Sequence, residues 1–179
     1  LFRRPKDTEI LADSVETSHG VYFLPAFTTG LTFPYWDASA TGNVFGISLS
    51  TKKAHIVRAV LEGICFRIKD IVDGIMEDTK IKVTRLKMDG GVSKNRFVCQ
   101  FLSNILGMEV EYYPHEEPTA LGAAFMAGLA VGFWESEAEI EELVRQGEVF
   151  SPRFSREERQ KRYEQWKSVI QRSLNWNQS

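Results

Sequence analysis

The most constraining feature of this sequence is residues 86–97, where a strand-like apolar run meets a paired glycine and then a helix-like segment. Gly90 and Gly91 let the backbone adopt positive φ and approach a ligand closely. The following helix would direct unpaired N–H groups and the positive end of its dipole at an anion. Turns of this kind are where α/β proteins hold phosphates. Asp-Gly-Gly also occurs in ordinary turns, so both a phosphate cradle and a simple bend remain open here.

Strands and helices alternate along the chain. Short apolar runs bounded by turn residues predict four strands, at 21–27, 43–47, 83–88 and 108–112. Apolar residues that recur every three or four positions predict helices over 51–79, over 94–106 with Ser93 as its N-cap, and from Thr119 onward. Strands separated by such helices indicate an α/β domain whose mixed sheet contains parallel pairs joined by crossover helices.

Two segments after the last of these strands differ in character from the rest. Residues 118–134 carry no charge, but they number 17 and include three glycines, so we predict a buried helix and not a membrane span, which needs roughly 20 apolar residues. An acidic helix is predicted over 136–146. A charged helix over 156–174 has an apolar stripe, formed by Tyr163, Trp166, Val169, Ile170 and Leu174.

Composition sets only broad limits. The 179 residues suit one domain, and a net charge of -2 gives no general attraction for nucleic acid or for an anionic membrane. Cys65 and Cys99 occupy apolar helical positions without metal-ligand spacing, which predicts buried thiols in a reducing compartment. The chain starts without Met and without a signal-peptide pattern, so we expect a fragment or one domain of a longer protein.

Several motifs together resemble the FGGY carbohydrate kinases. Gly-Asn-Val-Phe-Gly-Ile at 42–47, followed after seven residues by His-Ile-Val-Arg-Ala-Val-Leu-Glu at 55–62, resembles the second signature of that family. Further segments follow the order and spacing of its glycerol kinase branch: Pro-Tyr-Trp-Asp at 34–37, Asp-Gly-Gly at 89–91, Thr-Ala-Leu-Gly-Ala-Ala at 119–124 and Gly-Leu-Ala-Val-Gly-Phe-Trp at 128–134. The resemblance extends over residues 20–176.

The resemblance implies an actin-like or ribonuclease-H-like ATPase fold in two lobes, with ATP and a polyol meeting in the cleft between them. The chain resembles the C-terminal lobe, with residues 1–19 as a leading segment, 20–176 as the nucleotide-binding domain and a terminal helix within 151–176. It implies phosphorylation of glycerol to glycerol 3-phosphate with ATP and Mg²⁺, the metal held mainly by the other lobe. It also implies a cytoplasmic homo-oligomer, with mitochondrial association left open.

Position matching to the family assigns the nucleotide site to Gly90, Gly91 and Asn95. The family's Asp-x-Gly-Thr phosphate loop and its Gly-Asp-Gln segment, which holds the base, are absent from this sequence. We therefore assign no catalytic residue and no metal ligand to this chain, and we expect it to be inactive alone.

Other polar residues in the matched motifs are predicted to be structural. We expect Asp89 to accept the N–H groups of the glycine turn, Asp37 to cap a turn, and Glu62 to form a buried hydrogen bond on the inner side of a helix. His55, near a helix start, is more often structural than a base.

Three functions remain open from sequence. The chain can belong to a glycerol kinase, to a related kinase acting on xylulose or gluconate, or to a non-catalytic actin-like nucleotide-binding module. In a kinase, the Gly90-Gly91 turn and the start of the Thr119 helix should face the cleft, and a lobe on its own should expose apolar surface and associate.

Overall fold

The computed structural model describes residues 4–27, 30–113, 118–144 and 147–176, and within them it contains seven helices and five strands. In chain order these elements are α1 (Asp7–Asp13), β1 (Tyr22–Leu24), β2 (Asn43–Phe45), α2 (Lys53–Thr79), β3 (Arg85–Met88), α3 (Gly90–Ser93), α4 (Arg96–Leu106), β4 (Glu109–Tyr112), α5 (Pro118–Ala130), α6 (Glu137–Val144), β5 (Glu148–Phe150) and α7 (Arg156–Ser173).

The larger sheet is mixed, as predicted. Its order is β3-β4-β5, with Leu86 opposite Val110 in the parallel pair and Val110 opposite Phe150 in the antiparallel pair. A parallel pair needs a crossover connection, and α3 and α4 provide it. The predicted strands at 21–27 and 43–47 are present in shortened form as β1 and β2, which make a separate antiparallel pair. Strand β5, which has only three residues, was not predicted from the sequence.

Helix α2 confirms the prediction for 51–79 and forms the centre of the packing. Its buried side chains include Val57, Leu61, Cys65 and Phe66. At Gly63 the helix passes so close to β1 that an added Cβ would lie 2.1 Å from the backbone oxygen of Phe23. Only glycine permits this approach, so the sequence of α2 sets how tightly it packs on the small sheet.

Aromatic side chains of α2, α4 and α7 pack together in the core. The rings of Phe66 and Trp166 stack with centroids 5.2 Å apart, and Phe101 meets Phe66 edge-on at 5.6 Å. Trp166, Val169 and Ile170 are buried, so the predicted apolar stripe of α7 is confirmed. The same core includes Ala12 of α1, which is fully buried although it lies in the segment expected to lead into the domain.

Both cysteines are buried free thiols, as predicted. Burial raises the pKa of Cys99 to about 11 and also raises the pKa of Cys65, so both thiols are protonated at neutral pH. A protonated, buried thiol is a poor nucleophile, and these residues therefore serve packing.

The prediction that residues 118–134 form a buried helix is wrong in one respect. The helix is present as α5, but Met126 is 69% exposed, and the buried apolar core of the described residues takes no side chain from α5. The chain after the helix folds back instead, so that Trp134 covers Gly128 and meets the Phe125 ring edge-on at 5.2 Å. The apolar character of α5 therefore remains largely exposed.

Two further findings concern the later helices. Helix α6 confirms the acidic helix predicted over 136–146, whose last two residues lie outside the described part of the chain. No helix among the described residues is both long enough and apolar enough to cross a membrane.

A buried carboxylate, Asp70, joins α2 to α7. Its oxygens accept hydrogen bonds from the Tyr163 hydroxyl at 2.8 Å and from the Trp166 indole nitrogen at 3.0 Å. They also form an ion pair with Arg67 at 2.9 Å, and Arg67 in turn donates to the backbone oxygen of Phe33 at 3.1 Å. Burial, and then the Asp70 charge, raise the pKa of Tyr163, which keeps its phenol protonated as a donor. One carboxylate thus connects two helices and a loop.

We expect Asp70→Ala to lower the free energy of unfolding by about 3–5 kcal/mol, because it leaves the nearly buried Arg67 without its counter-charge. Urea denaturation followed by circular dichroism measures the loss. Asp73→Ala is the matched control on the same helix: its ion pair with Lys69 is more exposed, and we expect a loss below about 1 kcal/mol. Equal losses for the two variants would show that the Asp70 cluster does not hold α7.

Candidate functional site

The glycine turn predicted as a ligand site has an open backbone that includes one residue with positive φ. Strand β3 ends at Met88, and Gly90 then adopts φ +82°, a value that favours glycine. An ideal Cβ added at Gly90 or at Gly91 would meet no heavy atom within 4 Å. The turn therefore leaves space beside its backbone, as a turn that holds a phosphate or a ribose requires.

The helix after the turn is divided, which corrects the sequence prediction. We expected one helix over 94–106 capped by Ser93, but α3 ends at Ser93 and α4 begins at Arg96. Ser93 is buried and its hydroxyl donates to the backbone oxygen of Gly90 at 2.7 Å. Asn95 is the N-cap of α4, and its Oδ1 accepts from the Val98 N–H at 3.2 Å. Asn95 thus precedes the first residue of α4 and does not lie inside the helix, where the predicted range of 94–106 had placed it.

The role predicted for Asp89 is also wrong. Asp89 occupies the N-cap position of α3, yet its side chain makes no capping hydrogen bond and is exposed. The turn is instead closed by the Ser93 hydroxyl on Gly90, so the Asp89 carboxylate is not needed to hold it.

Helix α1 contacts the start of α4, a feature that sequence reasoning missed. Asn95 Nδ2 donates to Thr8 Oγ1 at 3.2 Å, and the Arg96 N–H donates to Glu9 Oε2 at 3.0 Å. The partners lie 87 residues apart in the chain, and no motif links the two segments. Only the tertiary fold brings them together.

A nearly buried arginine, Arg58, holds α1 in place. Arg58 of α2 donates to the backbone oxygens of Ala12, at 3.1 Å, and of Val15. Its Nε also pairs with Glu62 at 2.7 Å, and both of these side chains are nearly buried. The prediction that Glu62 makes a buried hydrogen bond is therefore confirmed.

Asp37 has the structural role that we predicted. Its Oδ1 accepts from the backbone N–H of Ser39 at 2.8 Å and from the Ser39 hydroxyl at 2.6 Å, while Oδ2 accepts from the Asn175 N–H at 2.7 Å. These hydrogen bonds, that of the Ser39 side chain foremost, lower the pKa of Asp37. Asp37 thus caps its turn and ties it to the chain after α7.

His55 also has a structural role, since its Nδ1 accepts from the backbone N–H of Lys52 and so caps α2 at 3.1 Å. The ring stacks on His19, with centroids 5.0 Å apart. His19 Nε2 lies 2.9 Å from the Ser50 hydroxyl. Desolvation, and then the nearby His19 and Lys52, lower the pKa of His55 below 6.5, which favours the neutral ring that capping requires.

A cavity beside α1 is separate from the glycine turn. It has a volume of about 380 Å³, lies between α1, α4 and β5, and is lined by charged groups that include Glu9, Asp13, Arg58 and Arg96. Its lining does not include Gly90, Gly91 or Asn95. Among the described residues, no group of three or more His, Cys, Asp or Glu side chains is arranged to hold a metal ion.

Comparison with known proteins defines the class to which this fold and turn belong. A family model for the FGGY family of carbohydrate kinases, C-terminal domain, matches residues 2–131. This chain belongs to the FGGY family of carbohydrate kinases, and its fold is the actin-like, ribonuclease-H-like ATPase fold of that family.

Particular relatives narrow the similarity further. The chain is 46% identical over 172 residues to the glycerol kinase of Clostridium beijerinckii, which covers 96% of this chain and 34% of that protein. The crystal structure of Plasmodium falciparum glycerol kinase with ADP matches with a TM-score of 0.87 at 36% identity, over 96% of this chain and 34% of that one. Gluconate kinase from Lactobacillus acidophilus matches with a TM-score of 0.72 at 28% identity, over 90% of this chain and 32% of that one. The chain spans about a third of the length of the proteins it matches.

The His55 cap makes the stability of the fold sensitive to pH. Because the folded-state pKa of His55 is lowered, its contribution is present above the unfolded-state value of 6.5 and is lost as the pH falls through the lower folded value. We expect the urea midpoint to fall between pH 7.5 and pH 5. The fall should be smaller in His55→Gln, which cannot titrate. His19→Gln keeps the cap and removes one positive charge that lowers the pKa of His55. The fall in the urea midpoint should therefore begin at a higher pH in this variant. An unchanged pH dependence in His55→Gln would contradict this role.

Proposed function

We propose that this chain is the C-terminal, nucleotide-binding lobe of an ATP-dependent glycerol kinase, which converts glycerol to glycerol 3-phosphate. The observation that carries the proposal is the 46% identity to a glycerol kinase over almost the whole chain. The open glycine turn supports it, because space beside Gly90 and Gly91 suits close approach of a nucleotide. The division of the chain into residues 1–19 and 20–176 stays a prediction.

In this proposal the chain binds and orients ATP, and the other lobe supplies the proton-accepting base. Phosphoryl transfer depends mainly on positioning and on charge stabilisation, with Mg²⁺ neutralising the phosphates when it is bound. Gly90 and Gly91 would admit the nucleotide beside the backbone, and Asn95 would offer one amide hydrogen and one lone pair. We assign the Mg²⁺ ligands and the base to the part of the enzyme outside this chain.

The exposed apolar surface of α5 and of the turn that follows it supports a second lobe as the partner. Met126, Val131 and Phe133 are 69%, 81% and 73% exposed. Exposed apolar surface of this kind marks contact with further polypeptide, and closure of two lobes over ATP would exclude water from the reaction. A cytoplasmic location and assembly into homo-oligomers belong to the same proposal, and both come from the family resemblance.

A gluconate or xylulose kinase is the second candidate, favoured by the structural similarity to gluconate kinase. Comparing glycerol, xylulose and gluconate as substrates of the full-length protein separates the candidates. We expect kcat/KM for glycerol to exceed the others at least about tenfold, which corresponds to about 1.4 kcal/mol of transition-state binding. This chain alone should give no turnover. A preference for either sugar substrate would overturn the assignment to glycerol.

The nucleotide site can be tested at Gly91. Its φ is not positive, and an added Cβ would meet no heavy atom within 4 Å. In the full-length protein we expect Gly91→Val to raise the KM for ATP about tenfold, because its side chain occupies the space left for the ligand. The KM for glycerol should change less than about twofold, and Gly91→Ala should have an intermediate effect.

Ile81→Ala is the control for this series. Ile81 is 67% exposed and precedes β3, at the opposite end of the strand from the turn. Steady-state kinetics should give the Ile81→Ala variant the same KM for ATP as the parent protein. An unaltered KM for ATP in Gly91→Val would remove the turn from the nucleotide site.

A further inference from the structure

The Thr8 hydroxyl can act only as a hydrogen-bond acceptor toward Asn95. Its Oγ1 donates to the backbone oxygen of Pro5 at 2.5 Å. A hydroxyl carries only one hydrogen, so the same oxygen can act only as an acceptor toward its other neighbour. That neighbour is Asn95 Nδ2, at 3.2 Å.

This arrangement sets the orientation of the Asn95 amide. The nitrogen faces the accepting hydroxyl of Thr8, and Oδ1 faces the Val98 N–H at 3.2 Å. The reverse orientation would place two acceptors together at Thr8 and two donors together at Val98. The amide is therefore held at both ends, and it keeps one hydrogen and one lone pair for another partner.

Glu9, the next residue of α1, stabilises the start of α4. Its Oε2 accepts from the Arg96 N–H at 3.0 Å, one of the N–H groups that the first turn of α4 leaves unpaired. A carboxylate at a helix N-terminus is also favoured by the helix dipole. Helix α1 can do this because Arg58 and the buried Ala12 hold it against α2.

We propose that Thr8 and Glu9 are positioning residues for nucleotide binding, acting through the Asn95 amide and the start of α4. The inference rests on the proposed function, in which Asn95 contacts ATP. It makes a helix outside the family motifs part of the site: α1 orients the nucleotide contact without touching the nucleotide.

The test uses the full-length protein and compares Thr8→Val with Thr8→Ser. Valine has nearly the shape of threonine but cannot accept the Asn95 hydrogen, whereas serine keeps the hydroxyl. We expect Thr8→Val to raise the KM for ATP about three- to tenfold, in line with loss of one hydrogen bond. The KM for glycerol should stay within about twofold of the parent value, and Thr8→Ser should restore the parent KM for ATP.

Ser14→Ala is the matched control at the other end of α1. Its hydroxyl donates only locally, to the backbone oxygen of Leu11 at 2.7 Å, and the residue is exposed. Its KM for ATP should not change. Amide hydrogen exchange at Val98 gives a second readout, which we expect to accelerate in Thr8→Val and not in Thr8→Ser.

The outcomes separate this inference from the proposed function. If Asn95→Ala raises the KM for ATP and Thr8→Val does not, the positioning role is overturned while the nucleotide site stands. If Thr8→Ser behaves as Thr8→Val, or if Thr8→Val weakens ATP and glycerol alike, the role of Thr8 is general packing and the inference is overturned. If Asn95→Ala and Gly91→Val both leave the KM for ATP unchanged, the proposed site fails and the inference fails with it.

Discussion

The packing of α2 is the constraint on which the rest of the described structure depends. This helix buries one side against β1, α1 and α4, and it carries two charged groups that connect outward from the core. Arg58 binds the backbone at the end of α1, and Asp70 binds Tyr163 and Trp166 of α7. A buried charge is costly unless each of its hydrogen-bond partners is in place. Arg58 and Asp70 therefore fix the positions of α1 and α7 on α2, whereas apolar contact alone would only bury their apolar sides.

The candidate site follows from that arrangement. The parallel pair β3–β4 requires a crossover, and the crossover begins with the open turn at Gly90 and Gly91. Helix α4 packs its apolar face on α2, which places its N-cap Asn95 next to α1. A turn that offers space and a helix start that offers an oriented amide are thereby brought together on a scaffold held by Arg58.

Particular residues mark the limits of prediction from sequence. Repeating apolar positions predicted α2 and α7 nearly to the residue, because a long periodic pattern is compatible with few other structures. Ser93 and Asn95 are both good N-cap residues, and the choice fell to Asn95 because Ser93 turns inward to Gly90. Helix α5 was predicted but not its exposure, since small apolar residues specify a helix without specifying what covers it.

The sequence by itself determined the family, the alternation of strands and helices, the glycine turn and the burial of both cysteines, because each of these depends on local residue type and spacing. The tertiary structure alone decided the pairing of Thr8 and Glu9 with the start of α4, the Asp70 cluster and the third strand of the larger sheet. Those contacts join groups whose separation in the chain ranges from 36 residues, between Tyr112 and Glu148, to 96 residues, between Asp70 and Trp166. They depend on individual hydrogen bonds and on a three-residue strand, and such partners leave no periodic pattern in the chain.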